Sequence, residues 1–310
     1  MSIYLGIDTS NYTTSFAVCG DKDYSVRRLL DVPFGARGIR QSDGVFMHTK
    51  NAPELYRKLS ECVPLGEIKA VGVSTRPRSV EGSYMPVFVS GSTYASLIAD
   101  TLGVPLYTFS HQDGHIMAGI ASSEHDELLS EEFHCVHLSG GTCEILKTRY
   151  EDCSFICDIE GGTLDISAGQ LIDRVGVALG MKFPCGRELT QNAIEFDGDI
   201  YKLSVSVRDG YINFSGAEAQ SMRLIRDNPD KKRLSASVLN CIGKSLVTAF
   251  ENIGAKKILM VGGVAASDYL KKYLLNNCTA AELIFAKPEF STDNAWGIAK
   301  LTERRSIYGT

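Results

Sequence analysis

The sequence predicts an α/β protein built from two related halves, and three observations carry that reading. Short apolar runs alternate with longer amphipathic segments over most of the 310 residues. Two strand–turn–strand units echo one another, at residues 3–19 and 135–147. The composition, 44% hydrophobic and 22% charged, supplies a sizeable core for a globular chain.

Taken in order, residues 3–8 and 13–19 read as strands joined by the polar turn Thr9-Ser10-Asn11-Tyr12. Residues 69–74 read as a buried strand, 92–102 as a helix, 104–109 as a strand and 113–129 as a helix. The second hairpin joins Cys135-Val136-His137-Leu138 to Cys143–Lys147 through Ser139-Gly140-Gly141-Thr142. In 165–180 the apolar Ile166, Leu171, Ile172, Val175 and Leu179 recur at helical spacing. A strong amphipathic helix is predicted over 235–252. A strand at 257–261 ends in Gly262-Gly263 and leads into another helix. A last strand at 283–286 precedes a last helix at 292–305. Asp197-Gly198-Asp199 and Asp227-Asn228-Pro229-Asp230 carry turn chemistry.

The formal net charge is −5, so no bulk positive field draws the chain to nucleic acid or membrane. Any RNA contact needs local patches or a partner. The nine cysteines form no Cys-x-x-Cys pair and read as buried thiols of a reducing compartment. Without a basic, apolar leader pattern or a run of about 18 apolar residues, the expected location is the cytoplasm.

The chemistry concentrates in His111-Gln-Asp-Gly-His115. On a helix, side chains four apart share one face, about 5–6 Å apart at Cβ, which suits two ligands of one metal ion. Two helix-surface histidines are the plain alternative. The run is not a zinc-protease motif, because Gln112 stands where the general-base glutamate is needed. Three small-residue turns, at Asp8-Thr9-Ser10, Ser139–Thr142 and Gly262–Ala266, have the character of phosphate-binding turns, though each also serves as an ordinary β-turn. Asp8 either lies near the phosphates or caps its hairpin. Arg76 and Arg78 read equally as a clamp for a phosphate or an RNA backbone, or as a solvated loop. Lys231-Lys232-Arg233 reads as a solvated helix start and Trp296 as core or interface.

The order of these turns resembles the actin-like ATPase (ASKHA) and sugar-kinase architecture. A closer resemblance is to the glycoprotease (TsaD-like) family, which includes the threonylcarbamoyl-transferring subunits of tRNA N(6)-threonylcarbamoyladenosine synthase. It covers nearly the whole chain. It rests on Leu5-Gly-Ile-Asp-Thr-Ser10, His111-Gln-Asp-Gly-His115, Leu138-Ser-Gly-Gly141, Thr163–Asp173, Phe183-Pro-Cys-Gly186, Asn213-Phe-Ser-Gly216, Gly262–Ala266 and Ser291-Thr-Asp-Asn-Ala295. The resemblance implies a duplicated βββαβα lobe with an interlobe cleft, the lobes being 1–128 plus 293–310 and 129–292. It also implies transfer of a threonylcarbamoyl group from threonylcarbamoyl-AMP to the N6 of a tRNA adenosine beside the anticodon. It assigns His111, His115 and Asp293 to one divalent iron or zinc ion. Ser139, Gly140 and Gly141 take the phosphate or carbamoyl end, Asp173 the nucleoside sugar, and Gly186, Gly262, Gly263 and Ser267 the surroundings of the adenosine. Asp8 and Ser139 are the candidate catalytic side chains. The implied ligand is an adenine nucleotide or carbamoyl-adenylate. The implied partners are tRNA, reached through other proteins, and a related actin-like subunit or a second copy of the chain, with no membrane.

The chain also departs from the family pattern. Tyr12 and Thr13 stand where the first motif carries two acids, Thr142 replaces a histidine, and Ile166 and Gln170 replace acids. Ser267 replaces an asparagine, Glu218 a lysine, and Arg76-Pro77-Arg78 a Gly-Pro-Gly segment. These departures fit a divergent paralogue and keep a non-catalytic nucleotide-binding scaffold as the alternative function. A small-molecule kinase using Asp8 and Asp165 for Mg²⁺ leaves the histidine pair without a purpose.

Overall fold

The computed structural model describes residues 2–10, 12–31, 39–290 and 295–309. Their order is β1 (Ile3–Ser10), β2 (Thr13–Gly20), β3 (Tyr24–Leu29), α1 (Gln41–Cys62), β4 (Ile68–Arg76), α2 (Phe88–Leu102), β5 (Leu106–Ser110) and α3 (His111–Ser123). There follow β6 (Phe133–Leu138), β7 (Cys143–Glu151), β8 (Ser154–Thr163), α4 (Ala168–Ala178), α5 (Gly186–Ile194), β9 (Ser206–Arg208), β10 (Tyr211–Asn213) and α6 (Ser215–Arg226). The chain ends with α7 (Lys231–Ile253), β11 (Lys257–Val261), α8 (Asp268–Asn277), β12 (Glu282–Phe285) and α9 (Ala295–Tyr308).

The chain forms two compact units. The first holds residues 1–131, 149–156 and 289–310, and the second holds 132–148 and 157–288. The first sheet runs β3-β2-β1-β4-β5 and the second β12-β11-β6-β7-β8-β10-β9. In the first, β1 pairs antiparallel with β2 and parallel with β4, which pairs parallel with β5. In the second, β6 pairs antiparallel with β7 and parallel with β11, which pairs parallel with β12. The echo between the two hairpins therefore extends to whole sheets, and β9 and β10 are additions at one edge of the second. The sequence reading left 149–156 in the second lobe; this hairpin tip groups with the first unit instead.

Strand β1 is buried along all eight residues, as a central strand covered on both faces must be. Its period-two alternation sends Ile3, Leu5 and Ile7 into one core with Ala52, Leu55 and Leu59 of α1 and Ala95 and Ala99 of α2. Tyr4 lies on the other face, in a core with Ala118 of α3 and Ala295, Trp296 and Ala299 of α9. Asp8 shares the parity of Tyr4, so the strand aims it at the α3 side.

Glycines let α9 sit close. A Cβ on Gly6 would meet the Ala295 carbonyl and the Ala299 amide, and a Cβ on Gly297 would meet the Gly114 carbonyl of α3. Backbone atoms cannot yield as a side-chain tip can. Gly297→Ala is therefore expected to cost about 1–3 kcal/mol, read as a lowered urea midpoint; an unchanged midpoint would refute this close packing.

His48 on α1 is fully buried and pairs its Nδ1 with Thr14 Oγ1 at 2.9 Å. Burial pushes the imidazole down to about 4, against a smaller upward pull from Asp8. The unfolded chain therefore binds a proton near pH 6.5 that the folded chain refuses until about pH 4. Stability is lost as pH falls through that window, by something of the order of 3 kcal/mol from this residue. The urea midpoint of His48→Gln should fall less steeply with pH than that of the parent, and parallel curves would show that His48 carries no such linkage.

Candidate functional site: a histidine pair and a set of small-residue turns

Helix α3 begins at His111, two residues before the expected start. Ser110 caps it: its hydroxyl accepts from the Asp113 amide at 3.0 Å, and its own amide donates to the Asp113 carboxylate at 2.8 Å. The helix ends at Ser123 with Glu124 in the left-handed region, and a separate 3-10 turn covers Asp126–Leu129, where the sequence reading continued one helix. Because His111 and His115 are one turn apart, their rings converge. His115 Nε2 lies 2.9 Å from His111 Nε2, with ring centroids 4.3 Å apart.

Behind His111 stands Asp8. Its Oδ2 is 2.6 Å from His111 Nδ1, and its Oδ1 accepts from Ser74 Oγ at 2.8 Å. The register places Ser74 there, since β1 and β4 run parallel with Ile7 opposite Val73. Asp8 is 1% exposed. Burial pushes its carboxyl up. Electrostatic attraction to the His111 imidazole and hydrogen bonds from His111, Ser74 and the Ser10 amide outweigh that and hold it below the usual carboxylate range. Asp8 thus faces Ser74 and His111, and its bond from the Ser10 amide also ties it to the turn of the β1–β2 hairpin.

This arrangement fits a divalent metal. A ligating imidazole characteristically gives its other ring nitrogen to a carboxylate, which fixes its tautomer and orientation. Here His111 gives Nδ1 to Asp8 and turns Nε2 toward His115 Nε2. Two imidazoles suit iron or zinc. Asp293 lies outside the described residues, and among those described no group of three His, Cys, Asp or Glu side chains is placed to hold an ion.

The second unit carries the remaining candidates. Ser139–Thr142 is a turn closed by its own atoms: the Ser139 amide donates to the Thr142 carbonyl at 2.8 Å, and the Thr142 amide donates to Ser139 Oγ at 3.0 Å. The start of α4 packs against it. Ser167, the cap of α4, donates to the Gly140 carbonyl at 2.8 Å, and a Cβ on Gly169 would lie 2.5 Å from Gly140 Cα. Gly140 and Gly141 themselves have no heavy atom within 4 Å of a would-be Cβ, and neither has Gly186 at the start of α5. The fold alone does not require glycine at these three places.

Asp173 on α4 accepts from the Cys185 amide at 2.8 Å, and burial raises its carboxyl. Gly262 has φ +100° and sits against the Leu138 carbonyl, to which the Val264 amide donates at 3.0 Å. The Gly262-Gly263 turn therefore lies beside the end of β6, where the Ser139 turn begins. Ser267 caps α8 and pairs its hydroxyl with Thr190 Oγ1 of α5 at 2.9 Å. The structure thus joins Ser139, Gly140, Ser167 and Gly169 in one contact set, Asp173 and Cys185 in a second, and Ser267 and Thr190 in a third.

Ser74, Ser167 and Thr190 were missed by the sequence reading. Only Ser167 had a local signal, the Ser-x-x-Gln capping box with Gln170. The exposed Asp165 carboxylate accepts from the amides of Ile166, Phe214 and Ser215 at 2.7–2.9 Å and so caps the start of α6. Lys231-Lys232-Arg233 does open a helix, α7, capped by Asp230. No helix of the described residues is long and apolar enough to cross a membrane.

The fold matches (R)-2-hydroxyglutaryl-CoA dehydratase component A of Acidaminococcus fermentans with a TM-score of 0.59 over 99% of this chain and 100% of that one, at 12% identity. The architecture is that of the actin-like ATPases. The chain is 27% identical to the tRNA N6-adenosine threonylcarbamoyltransferase of Thermosipho africanus, over 96% of this chain and 92% of that protein. It is 28% identical to the enzyme of the same name from a Sulfurihydrogenibium species, over 96% and 88%. The family model TsaD, tRNA N6-adenosine threonylcarbamoyltransferase, matches residues 42–300, and the chain belongs to that family.

Proposed function

We propose that this protein transfers a threonylcarbamoyl group from threonylcarbamoyl-AMP to the N6 of a tRNA adenosine, with one divalent iron or zinc ion bound at His111 and His115. Family membership supports the reaction class. The observation that carries the metal is the 2.9 Å convergence of the two Nε2 atoms with Asp8 behind His111. Asp293 completes the set in this reading. A bound divalent ion supplies Lewis acidity toward the oxygens of the carbamoyl-adenylate.

The chain's own residues do the rest. Asp8 holds the His111 ring, and Ser74 holds Asp8. Gly140 and Gly141 offer backbone amides to the anionic end of the adenylate, with Ser139 keeping the turn closed. Asp173 has one oxygen on the Cys185 amide and gives the other to a ribose hydroxyl. Gly186, Gly262, Gly263 and Ser267 border the adenosine. The adenosine N6 attacks the carbamoyl carbon. A C–N bond forms, the C–O bond to phosphate breaks, AMP leaves with the electron pair, and the N6 proton passes to solvent. Partner proteins, among them a related actin-like subunit or a second copy, present the tRNA in this reading, since a net charge of −5 gives the chain no bulk positive field of its own. The reaction belongs in the cytoplasm.

Purified protein given threonylcarbamoyl-adenylate, tRNA and candidate partners should yield threonylcarbamoyl-adenosine, detected by mass spectrometry of digested tRNA. Tight adenylate binding with no modified nucleoside under any partner set would replace this reading with that of a non-catalytic scaffold.

A further inference from the structure

We propose that Asp113 is the positioning residue of the histidine pair. It lies two residues from each histidine, so it projects about 200° round the helix from His111 and away from the imidazole face. It is 1% exposed, and four donors converge on its carboxylate. Oδ2 accepts from the Ser110 amide at 2.8 Å, Ser79 Oγ at 2.9 Å and Ser154 Oγ at 3.4 Å. Oδ1 accepts from the Phe155 amide at 3.3 Å. These donors come from three places: the cap of α3 itself, the segment after β4, and the tip of the β7–β8 hairpin, which groups with the first unit. A capping box needs only the first. The other contacts fix the helix in rotation and along its axis, and any change in either displaces both imidazoles together.

The hairpin tip is built to stay in place. Asp152 and Cys153 both adopt positive φ to close it, Tyr150 packs on Phe155 at 5.0 Å, and Arg304 of α9 lies over the Tyr150 ring at 5.5 Å. Asp113 thus ties the start of α3 to a segment distant in sequence, leaving its other side to the histidines. This inference rests on the metal reading for its consequence, but not for its geometry.

The test compares Asp113→Ala, Asp113→Asn and Leu59→Ala with the parent. Leu59 is a fully buried residue of α1 that serves as a control for lost stability alone. Two readouts are taken. In metal-free protein, nitrogen-15 spectra of the imidazoles report the His111 Nδ1 hydrogen bond to Asp8. With Zn²⁺, competition against a chelator reports affinity. Asp113→Ala should shift both imidazole spectra and weaken Zn²⁺ about 10- to 100-fold, the range for loss of a residue supporting a ligand. Asp113→Asn retains an acceptor for Ser110 and Ser79 but sets an amide against the Phe155 N–H, so it should fall between. It also carries the test if the alanine variant does not fold. Leu59→Ala should lower the urea midpoint and leave both readouts unchanged. Unaltered imidazole spectra in both Asp113 variants, or equal changes in Leu59→Ala, would overturn the proposal. Parent protein that binds no Zn²⁺ would overturn the metal reading instead, while the metal-free spectra would still decide the role of Asp113.

Discussion

His115→Ala is expected to lose threonylcarbamoyl transfer by at least about 100-fold while keeping its fold, and His111→Ala to lose more. Removing His115 deletes one donor but leaves the His111–Asp8 pair intact at 2.6 Å. Removing His111 deletes a donor and strips Asp8 of its partner. Among the described residues, Ser74 and the Ser10 amide then remain to offset the desolvation of the buried Asp8 carboxylate, a penalty of about 1–3 kcal/mol or more. The two variants should therefore separate. Both lose activity, and only His111→Ala should show a clear drop in urea midpoint. A His115→Ala protein with parental turnover would show that the imidazoles are scaffold alone.

Gly140→Val has the second large expected effect. The space around a Gly140 Cβ is empty to 4 Å, so the variant should fold with a parental midpoint. A branched side chain there would occupy the place proposed for the anionic end of the adenylate. Adenylate affinity should fall about 10- to 100-fold, corresponding to about 1.4–2.8 kcal/mol. Titration calorimetry with a non-hydrolysable adenylate measures this directly. Unchanged affinity would move the ligand away from the Ser139–Thr142 turn. By contrast Gly169, whose Cβ would strike Gly140 Cα and the Ser139 carbonyl, should fail in folding before it fails in binding.

Much of this was legible in the residues, for reasons that can be stated. The two hairpins repeat a local pattern, and local pattern is what a sequence displays most directly. The convergence of His111 and His115 followed from helical spacing alone. Helix α1 escaped the reading because Pro53 lies inside it and its buried face includes Gly44 and His48, which blur the apolar stripe. Strands β9 and β10 have three residues each, too few to show a period. The partners of Asp8 and Asp113 were hidden for a different reason. Ser74 reaches Asp8 through parallel pairing of β1 with β4, and Ser154 reaches Asp113 through a hairpin that joins the first unit. Neither neighbour is written in local spacing. Asp165 shows the converse: an acid in a motif drew a catalytic reading, while its three amide donors make it a helix cap.

The account stands on the histidine pair as a metal centre, and elemental analysis of protein purified without chelator tests that most directly. It predicts about one equivalent of iron or zinc per chain in the parent protein and a small fraction of that in His115→Ala. Metal well below one equivalent in a parent protein that nonetheless forms threonylcarbamoyl-adenosine at full rate would contradict it.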